Sequence, residues 1–246
     1  MYDPIKDGVE KAVRLVSYSE VKPPSGLSAT VHSFWELKTE RPLAEDFQLH
    51  AIPDACVNLL FNQADPEIAG VTALHTTFEV LNLGKSFHYV GVQFLPGVWQ
   101  GKKEEIKDSF VGMPYEGNLP LVEAGIKMAD LDFPAKQTVM SDLVARLVEQ
   151  GLVVPNLITE KILSNLDSIK TVGDMASLAG LSSRQLQRVI REATDLSPHD
   201  FLKILRLQQS FKQHYLMTYT DQSHFIHSFR KITGHTPAQY AKKFDV

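Results

Sequence analysis

The hydrophobic pattern of the chain changes its period near Pro96, and this change constrains the fold more than any other feature of the sequence. Before Pro96, short stretches alternate apolar and polar residues with a period of two, which is typical of β-strands. After it, apolar residues recur at helical spacing, for example over residues 143–148. The chain is therefore predicted to be an α+β protein with a β-rich N-terminal part and a helical C-terminal part.

Five stretches of the first part predict strands, because they are rich in β-branched and aromatic residues and are bounded by turn residues such as Pro53 and Gly84. These stretches are residues 29–37, 47–52, 56–61, 77–83 and 88–95. Short strands at nearly regular spacing indicate a β-sandwich or β-barrel. We assign residues 1–100 to this domain.

Helical spacing is predicted from about Glu104 to Gln150, and Gly151 offers a C-terminal stop. We interpret residues 101–155 as a helical connector. It either contributes a dimer contact or is an ordinary packed helix, and the spacing leaves both alternatives open.

The charge of the chain is uneven on the two sides of Pro155. Residues 1–155 hold 13 Lys and Arg against 21 Asp and Glu, whereas residues 156–246 hold 12 against 8. A basic C-terminal third is expected when that end of a protein binds a polyanion. A difference of this size also arises by chance, so the charge alone favours nucleic-acid binding only weakly.

Several protein classes are disfavoured by the sequence. No apolar run approaches the roughly 18 residues that a membrane-spanning helix needs. The polar N-terminus does not resemble a secretory signal. The single cysteine, Cys56, excludes an internal disulfide framework and a Cys-rich zinc site. We therefore expect a cytoplasmic protein without membrane contact.

Residues 171–194 predict two short helices that are joined by a tight turn. Thr171 is the expected N-cap of the first helix, and Gly180 can adopt the positive φ of the turn. Ser182 then caps a second helix that runs to about Thr194. Its apolar face comprises Leu186, Val189 and Ile190. This arrangement is typical of a helix-turn-helix.

The other side of the second helix is basic and rich in amides: Arg184, Gln185, Gln187, Arg188 and Arg191. Arginine pairs with guanine in the major groove, glutamine pairs with adenine, and either side chain can bind phosphate. A merely solvated helix face is the alternative explanation of the same pattern.

Residues 171–198 resemble the first helix-turn-helix of AraC-type transcription regulators. Residues 201–209 resemble the linker helix of that family, residues 221–231 its second recognition helix, and residues 234–240 its closing signature. The resemblance implies that residues 156–246 form an all-helical DNA-binding domain with two helix-turn-helix units. It also implies double-stranded DNA as the partner, no cofactor and no catalysis.

Each unit is expected to place one helix in the major groove, through residues 182–193 and 221–231. Phosphate contacts are predicted for Arg184, Arg188, Arg191, Arg230 and Lys231. Base contacts are predicted for Gln185, Gln187, Gln222, Ser223 and His224. Because consecutive helical residues point about 100° apart, one shared face makes the better set. That face carries Arg184, Gln187, Arg188 and Arg191.

The chain departs from the family pattern after Arg206, because only 14 residues separate it from Asp221. A turn and a scaffold helix must fit there, so almost nothing is expected to remain for the linker helix after Arg206. One long helix is an alternative, with an aromatic cluster of Phe211, Tyr215, Phe225 and Phe229. A regulator that binds another protein, with impaired DNA binding, is the alternative function. Asp195 also stands where the family often has Gly.

Residues 53–61 and 91–97 resemble segments of a β-rich, sensor-like domain that precedes some AraC-type units. The resemblance implies that residues 1–100 bind a small-molecule effector, a protein partner or a second copy of the chain as a homodimer. It does not imply which ligand.

An enzyme is a further alternative, because four histidines lie near the predicted strands: His32, His50, His75 and His88. Histidines on neighbouring strands can bind a metal, but the sequence has no His-x-His spacing with a nearby acid, and packed or surface imidazoles explain them better. Trp35 and Trp99 either line a pocket or pack in the core. No phosphate loop or nucleophile elbow occurs, so we expect no enzyme and no metal.

Overall fold

The structure, a computed structural model, describes residues 2–101, 106–107, 113–212 and 222–245. It confirms the α+β class, because strands dominate before residue 100 and helices after residue 120. The strands are β1 (Val9–Glu10), β2 (Val16–Val21), β3 (Val31–Thr39), β4 (Phe47–Ala51), β5 (Asn58–Asn62), β6 (Ala69–Thr72), β7 (Glu79–Gly84), β8 (His88–Phe94), β9 (Ile106–Lys107) and β10 (Phe244–Asp245). The helices are α1 (Leu121–Met128), α2 (Phe133–Glu149), α3 (Leu157–Ser164), α4 (Val172–Ala179), α5 (Ser183–Thr194), α6 (Pro198–Lys212), α7 (Gln222–Thr233) and α8 (Pro237–Lys243).

Six strands form the main sheet in the order β2-β3-β8-β5-β6-β9, with β9 parallel to β6 and the other pairs antiparallel. A second sheet pairs β4 with β7. A third pairs β1 with β10 and thereby joins the two ends of the described chain. All five predicted strands are found, and the N-terminal part is built of β-sheets as expected.

One face of the main sheet is covered by α1 and α2. Leu59, Phe61 and Val92 are buried on this face, in the same cluster as Leu143 and Val144 of α2. Because successive side chains of a strand point to opposite faces, the intervening residues lie on the other face of the main sheet. The β4–β7 sheet packs against that face. The helical connector and the sheet therefore share one hydrophobic core.

The prediction of helical structure from Glu104 onwards is wrong at Ile106 and Lys107. These residues form β9, which pairs with Val71 and Thr72 of β6. The open edge of β6 offers unpaired backbone groups, and satisfying them outweighs the local helical spacing. The first helix of the connector begins only at Leu121, and Gly151 follows α2 with a φ of 71°.

The C-terminal helices form two clusters, and both clusters include residues of the β-rich part. Helices α3 to α6 pack around Met175, Leu186 and Phe201, with Tyr2 and Cys56 in the same cluster. The end of α6, α7 and α8 pack around another set, which comprises Leu207, Phe225, Phe229, Tyr240, Phe244 and Ile52. The helical part is therefore held directly against the N-terminal part. In the portions of the chain that the structure describes, no helix is long and apolar enough to cross a bilayer.

Candidate nucleic-acid interface

The helix-turn-helix forms where the sequence predicts it, with both caps in place. Thr171 caps α4, since its hydroxyl accepts the Asp174 N–H at 3.1 Å while the Asp174 carboxylate accepts the Thr171 N–H at 2.8 Å. Gly180 ends α4 in the left-handed region with φ 70°. Ser182 then caps α5. These local signals place α5 at a defined angle to α4.

The exposed side of α5 carries the side chains that the sequence analysis selected. Leu186 and Ile190 are fully buried against α4 and α6, whereas Val189 is half-buried. The exposed residues include Arg184, Gln185, Gln187, Arg188 and Arg191. No hydrogen bond or ion pair to another described residue holds the side chains of Arg184, Gln187, Arg188 or Arg191. The surface of α5 is therefore accessible to a large ligand.

Gln185 differs from its neighbours because its side chain is already engaged. Its Oε1 accepts the Ser182 N–H at 2.9 Å and lies 2.8 Å from the Ser182 hydroxyl. In return, the Gln185 N–H donates to that hydroxyl at 3.3 Å. This reciprocal pair is a capping box, so Gln185 fixes the start of α5. Only its amide nitrogen remains for a base.

Two further residues fix the end of α5 and the loop that precedes α4. Asp195 ends α5 with a φ of 57°, in the left-handed region that glycine adopts most easily. Arg206 of α6 donates to the carbonyls of Ile169 and Lys170, which fixes the entry into α4.

Helix α7 coincides with the predicted second recognition helix, although it runs from Gln222 to Thr233. Phe225, Phe229 and Ile232 are buried. The exposed residues include the predicted Ser223, His224, Arg230 and Lys231. The side chain of Gln222 lies outside the described part of the structure.

His227 is a candidate contact that the sequence analysis missed. It is exposed on α7. It lies three residues after His224 and four residues before Lys231, so the three side chains share one helix face. The spacing of these three residues in the sequence could have predicted His227 as a contact.

The linker helix is longer than expected. The prediction that almost nothing remains after Arg206 is wrong, because α6 continues to Lys212. Apolar packing explains this extension, since Leu207 is buried and the Phe211 ring lies 5.2 Å from that of Phe229. Residues 213–221, Tyr215 among them, lie outside the described residues, so the shortened scaffold of the second unit stays a prediction.

The four N-terminal histidines do not come together. His32 contacts Asp3 at 2.9 Å and Gln93 at 2.7 Å. The other three lie with different partners: His88 with Glu36, His75 with Glu79, and His50 within an aromatic cluster. Within residues 2–101, 106–107, 113–212 and 222–245, no group of three or more His, Cys, Asp or Glu side chains is placed to bind a metal ion.

The two tryptophans have different surroundings. Trp99 is buried, with its ring 5.8 Å from that of Phe94. Trp35 instead lines a cavity on the face of the main sheet opposite α1 and α2. Cys56 is buried, and burial raises the pKa of its thiol well above the usual value. A nucleophilic thiolate is therefore disfavoured there.

Two protein-family models match different parts of the chain. The family model described as "Helix-turn-helix domain" matches residues 175–243, which include α5, α6, α7 and α8. The chain carries an AraC-type helix-turn-helix domain. A second model, "Domain of unknown function (DUF6597)", matches residues 19–101. The helix-turn-helix domain supports a DNA-binding transcription regulator that also has an N-terminal domain.

A solved structure of ToxT from Vibrio cholerae is similar over 92% of this chain and 96% of that chain, with 8% sequence identity and a TM-score of 0.38. No curated protein matches the chain.

Proposed function

We propose that the protein binds specific DNA sequences by placing α5 in the major groove, with α7 of the second unit in a neighbouring groove. One observation carries the proposal. The residues Arg184, Gln187, Arg188 and Arg191 are exposed on one face of α5 and have no partner among the described residues. The AraC-type match over the same helix supports this reading.

The chemistry of that face separates affinity from specificity. The arginines reach phosphate oxygens or the guanine edge, and Gln187 presents both an amide donor and an acceptor, as adenine requires. Each phosphate contact releases counterions, so the affinity falls as salt rises. On α7, Ser223, His224 and Gln222 would contact bases, and Arg230 and Lys231 would contact phosphates.

The N-terminal domain would bind an effector or a partner, and this binding would change the DNA affinity of the DNA-binding domain. The shared clusters around Cys56 and Ile52 provide the contact between the two domains. A homodimer would present two AraC-type domains to two half-sites. We expect the protein to act in the cytoplasm, where its DNA is accessible.

Selection from a pool of randomised DNA duplexes tests the proposal with the full chain. Repeated rounds should enrich one motif, and footprinting should protect that motif on both strands at the major groove. The double variant Arg184→Ala, Arg188→Ala should enrich no motif, whereas Arg14→Ala should enrich the same one. If the unmodified protein forms a dimer but retains no duplex at any salt concentration, it acts through another protein and the proposal fails.

A further inference from the structure

The cavity beside Trp35 is large enough for a small organic molecule. Its volume is about 150 Å³, and an apolar cavity of about that size is enough to bind benzene. It lies between the main sheet and the β4–β7 sheet, and residues near the N-terminus close one side. The walls are largely apolar and include Val9, Leu37, Leu49, Leu60, Leu74 and Leu81.

Two carboxyl groups, those of Asp7 and Asp54, lie in one wall of this cavity. Asp7 Oδ1 accepts the Ile52 N–H at 3.0 Å. Asp54 Oδ1 accepts the Cys56 N–H at 2.8 Å, and its Oδ2 accepts an N–H of Gln93 at 2.6 Å. Among the described residues, no cationic side chain lies within ion-pair distance of either carboxyl group. Burial raises the pKa of Asp7 to about 7 and that of Asp54 to about 6.

The other titratable groups at the cavity do not neutralise these two. Lys6 is paired with Asp245 at 3.2 Å. His75 faces Glu79 at 3.5 Å, and the Tyr18 hydroxyl donates to Glu20 at 3.1 Å. Cys56 and Tyr2, which lie close to Asp54, have thiol and phenol pKa values that burial raises further. The cavity therefore has an excess of acidic groups inside an apolar enclosure.

Trp35 adds an aromatic wall whose position is determined by its neighbours. It pairs with Gly91 across β3 and β8. A Cβ at position 91 would lie only 2.3 Å from Trp35 Cζ2, so the indole ring rests directly on the glycine backbone. Its Nε1 donates to Asn58 Oδ1 at 3.2 Å. Indole is the aromatic ring that attracts cations most strongly.

The acidic groups, the apolar walls and the indole ring of the cavity all favour a cationic ligand with an apolar body. Asp7 and Asp54 are half-buried, and carboxylates that are partly removed from water are costly unless a cation neutralises them. An apolar cavity favours a ligand with a hydrocarbon body, and an indole wall favours a positive charge. A carboxylate ligand would instead add a third acidic group beside Asp7 and Asp54.

We propose that this cavity binds a small organic cation, a protonated amine with an apolar body, with Asp7 and Asp54 as its counter-charges and Trp35 as its aromatic wall. The proposal rests on the proposed function in taking the N-terminal domain as the effector-binding part. The cavity is also connected to the DNA-binding domain. Gln208 of α6 accepts the Ile5 N–H at 3.0 Å and donates to the Pro53 carbonyl at 2.7 Å. Ile5 and Pro53 both line the cavity.

Isothermal titration of the full chain with three matched probes tests the ligand class. The probes are cationic 2-phenylethylamine, neutral 2-phenylethanol and anionic 3-phenylpropanoate. A series of alkylamines of increasing chain length is titrated as well. Amines should give saturable binding that tightens with chain length until the hydrocarbon body fills the cavity. Asp7→Asn and Asp54→Asn should each weaken this binding by about tenfold or more, the factor expected for the loss of a hydrogen bond to a charged group. Trp35→Leu should weaken it as well, and Trp35→Phe should restore part of it.

Asp142→Asn is the matched control, because Asp142 is exposed on α2. It should bind amines like the unmodified protein. Equal binding of the alcohol or the carboxylate overturns the proposal, as does unchanged amine binding in both aspartate variants, or no saturable binding by any amine at millimolar concentration. Circular dichroism verifies that each variant is folded. The titration contains no DNA, so its failure overturns only the ligand class, whereas a failed DNA selection overturns only the proposed function.

Discussion

Gln208 donates its side-chain amide to the backbone carbonyl of Pro53 at 2.7 Å, deep between the two parts of the protein. The same carboxamide accepts the Ile5 N–H, and the residue is only 1% exposed. One side chain of the linker helix α6 thus satisfies two backbone groups of the β-rich part. Because buried polar groups are costly when unpaired, this contact favours one arrangement of the two domains.

Removing this carboxamide should weaken the domain contact. Gln208→Ala leaves the Pro53 carbonyl and the Ile5 N–H without their partner, so the free energy of unfolding should fall by about 2 kcal/mol or more. Urea denaturation measures the change. Gln209→Ala is the control, because Gln209 makes an exposed contact to Asp167, and it should cost less than about 0.5 kcal/mol. Equal losses in the two variants would contradict the role of Gln208.

The stability of the protein should fall as Asp7 ionises. Burial raises the pKa of Asp7 from about 3.8 to about 7. The folded protein therefore holds a proton that the unfolded chain releases, and the free energy of unfolding decreases between about pH 4 and pH 7. Asp7→Asn resembles the protonated form. The variant should be more stable than the unmodified protein at pH 8, with a smaller difference at pH 5.

Urea denaturation at both pH values measures this difference, and Asp142→Asn should show none. A loss of stability in Asp7→Asn that is the same at pH 5 and pH 8 would contradict a raised pKa of Asp7 in the folded protein.

His50 should have the opposite pH dependence. Its ring is stacked on Phe78 and Phe244 with centroids 4.8 Å and 4.7 Å away. Burial and the neighbouring His235 lower the pKa of His50 to about 4. Because the unfolded chain takes up a proton first, the free energy of unfolding should fall as pH decreases from about 6.5 to about 4. His50→Phe keeps the stacking and should remove part of this acid sensitivity.

Thermal unfolding between pH 7 and pH 4 checks the prediction for His50. His199→Gln changes an exposed histidine of α6 and should leave the profile unaltered. An unchanged profile in His50→Phe would mean that the His50 ring takes up protons as readily in the folded as in the unfolded protein.

Gln185 and Gln187 should respond to alanine in opposite ways. Gln185→Ala removes the capping box of α5 and should lower the free energy of unfolding by about 1 kcal/mol. Gln187→Ala removes an exposed side chain, so stability should stay within about 0.5 kcal/mol while discrimination at one base pair of the selected motif falls. Denaturation and binding to single-base variants of the motif measure the two effects. The reverse result would assign base contact to Gln185 and not to Gln187.

The sequence predicts those parts of the fold that depend on local signals. Helices α4 and α5 follow from the caps Thr171 and Ser182 and from the turn at Gly180, each of which acts within a few residues. Strands β3 and β8 follow from alternation with aromatic and β-branched residues. The exposed face of α5 follows directly from the helical period.

Other parts depend on partners that are distant in the chain. Strand β2, Val-Ser-Tyr-Ser-Glu-Val, is only partly buried and forms because it pairs with β3. β1 pairs with β10, more than 230 residues away. The acidic cavity was also missed, since Asp7 and Asp54 look like ordinary turn residues until the N-terminal segment closes over them. No local pattern reports such an enclosure.

The most direct measurement is the salt dependence of DNA affinity, followed by fluorescence anisotropy with the selected duplex. Arg184→Ala and Arg188→Ala should each weaken binding, and each should reduce the slope of log affinity against log salt by about one. Arg14→Ala and Arg41→Ala remove the same charge at exposed positions of the N-terminal part and should change neither the affinity nor the slope. If all four variants bind alike, α5 does not contact DNA and the account is wrong.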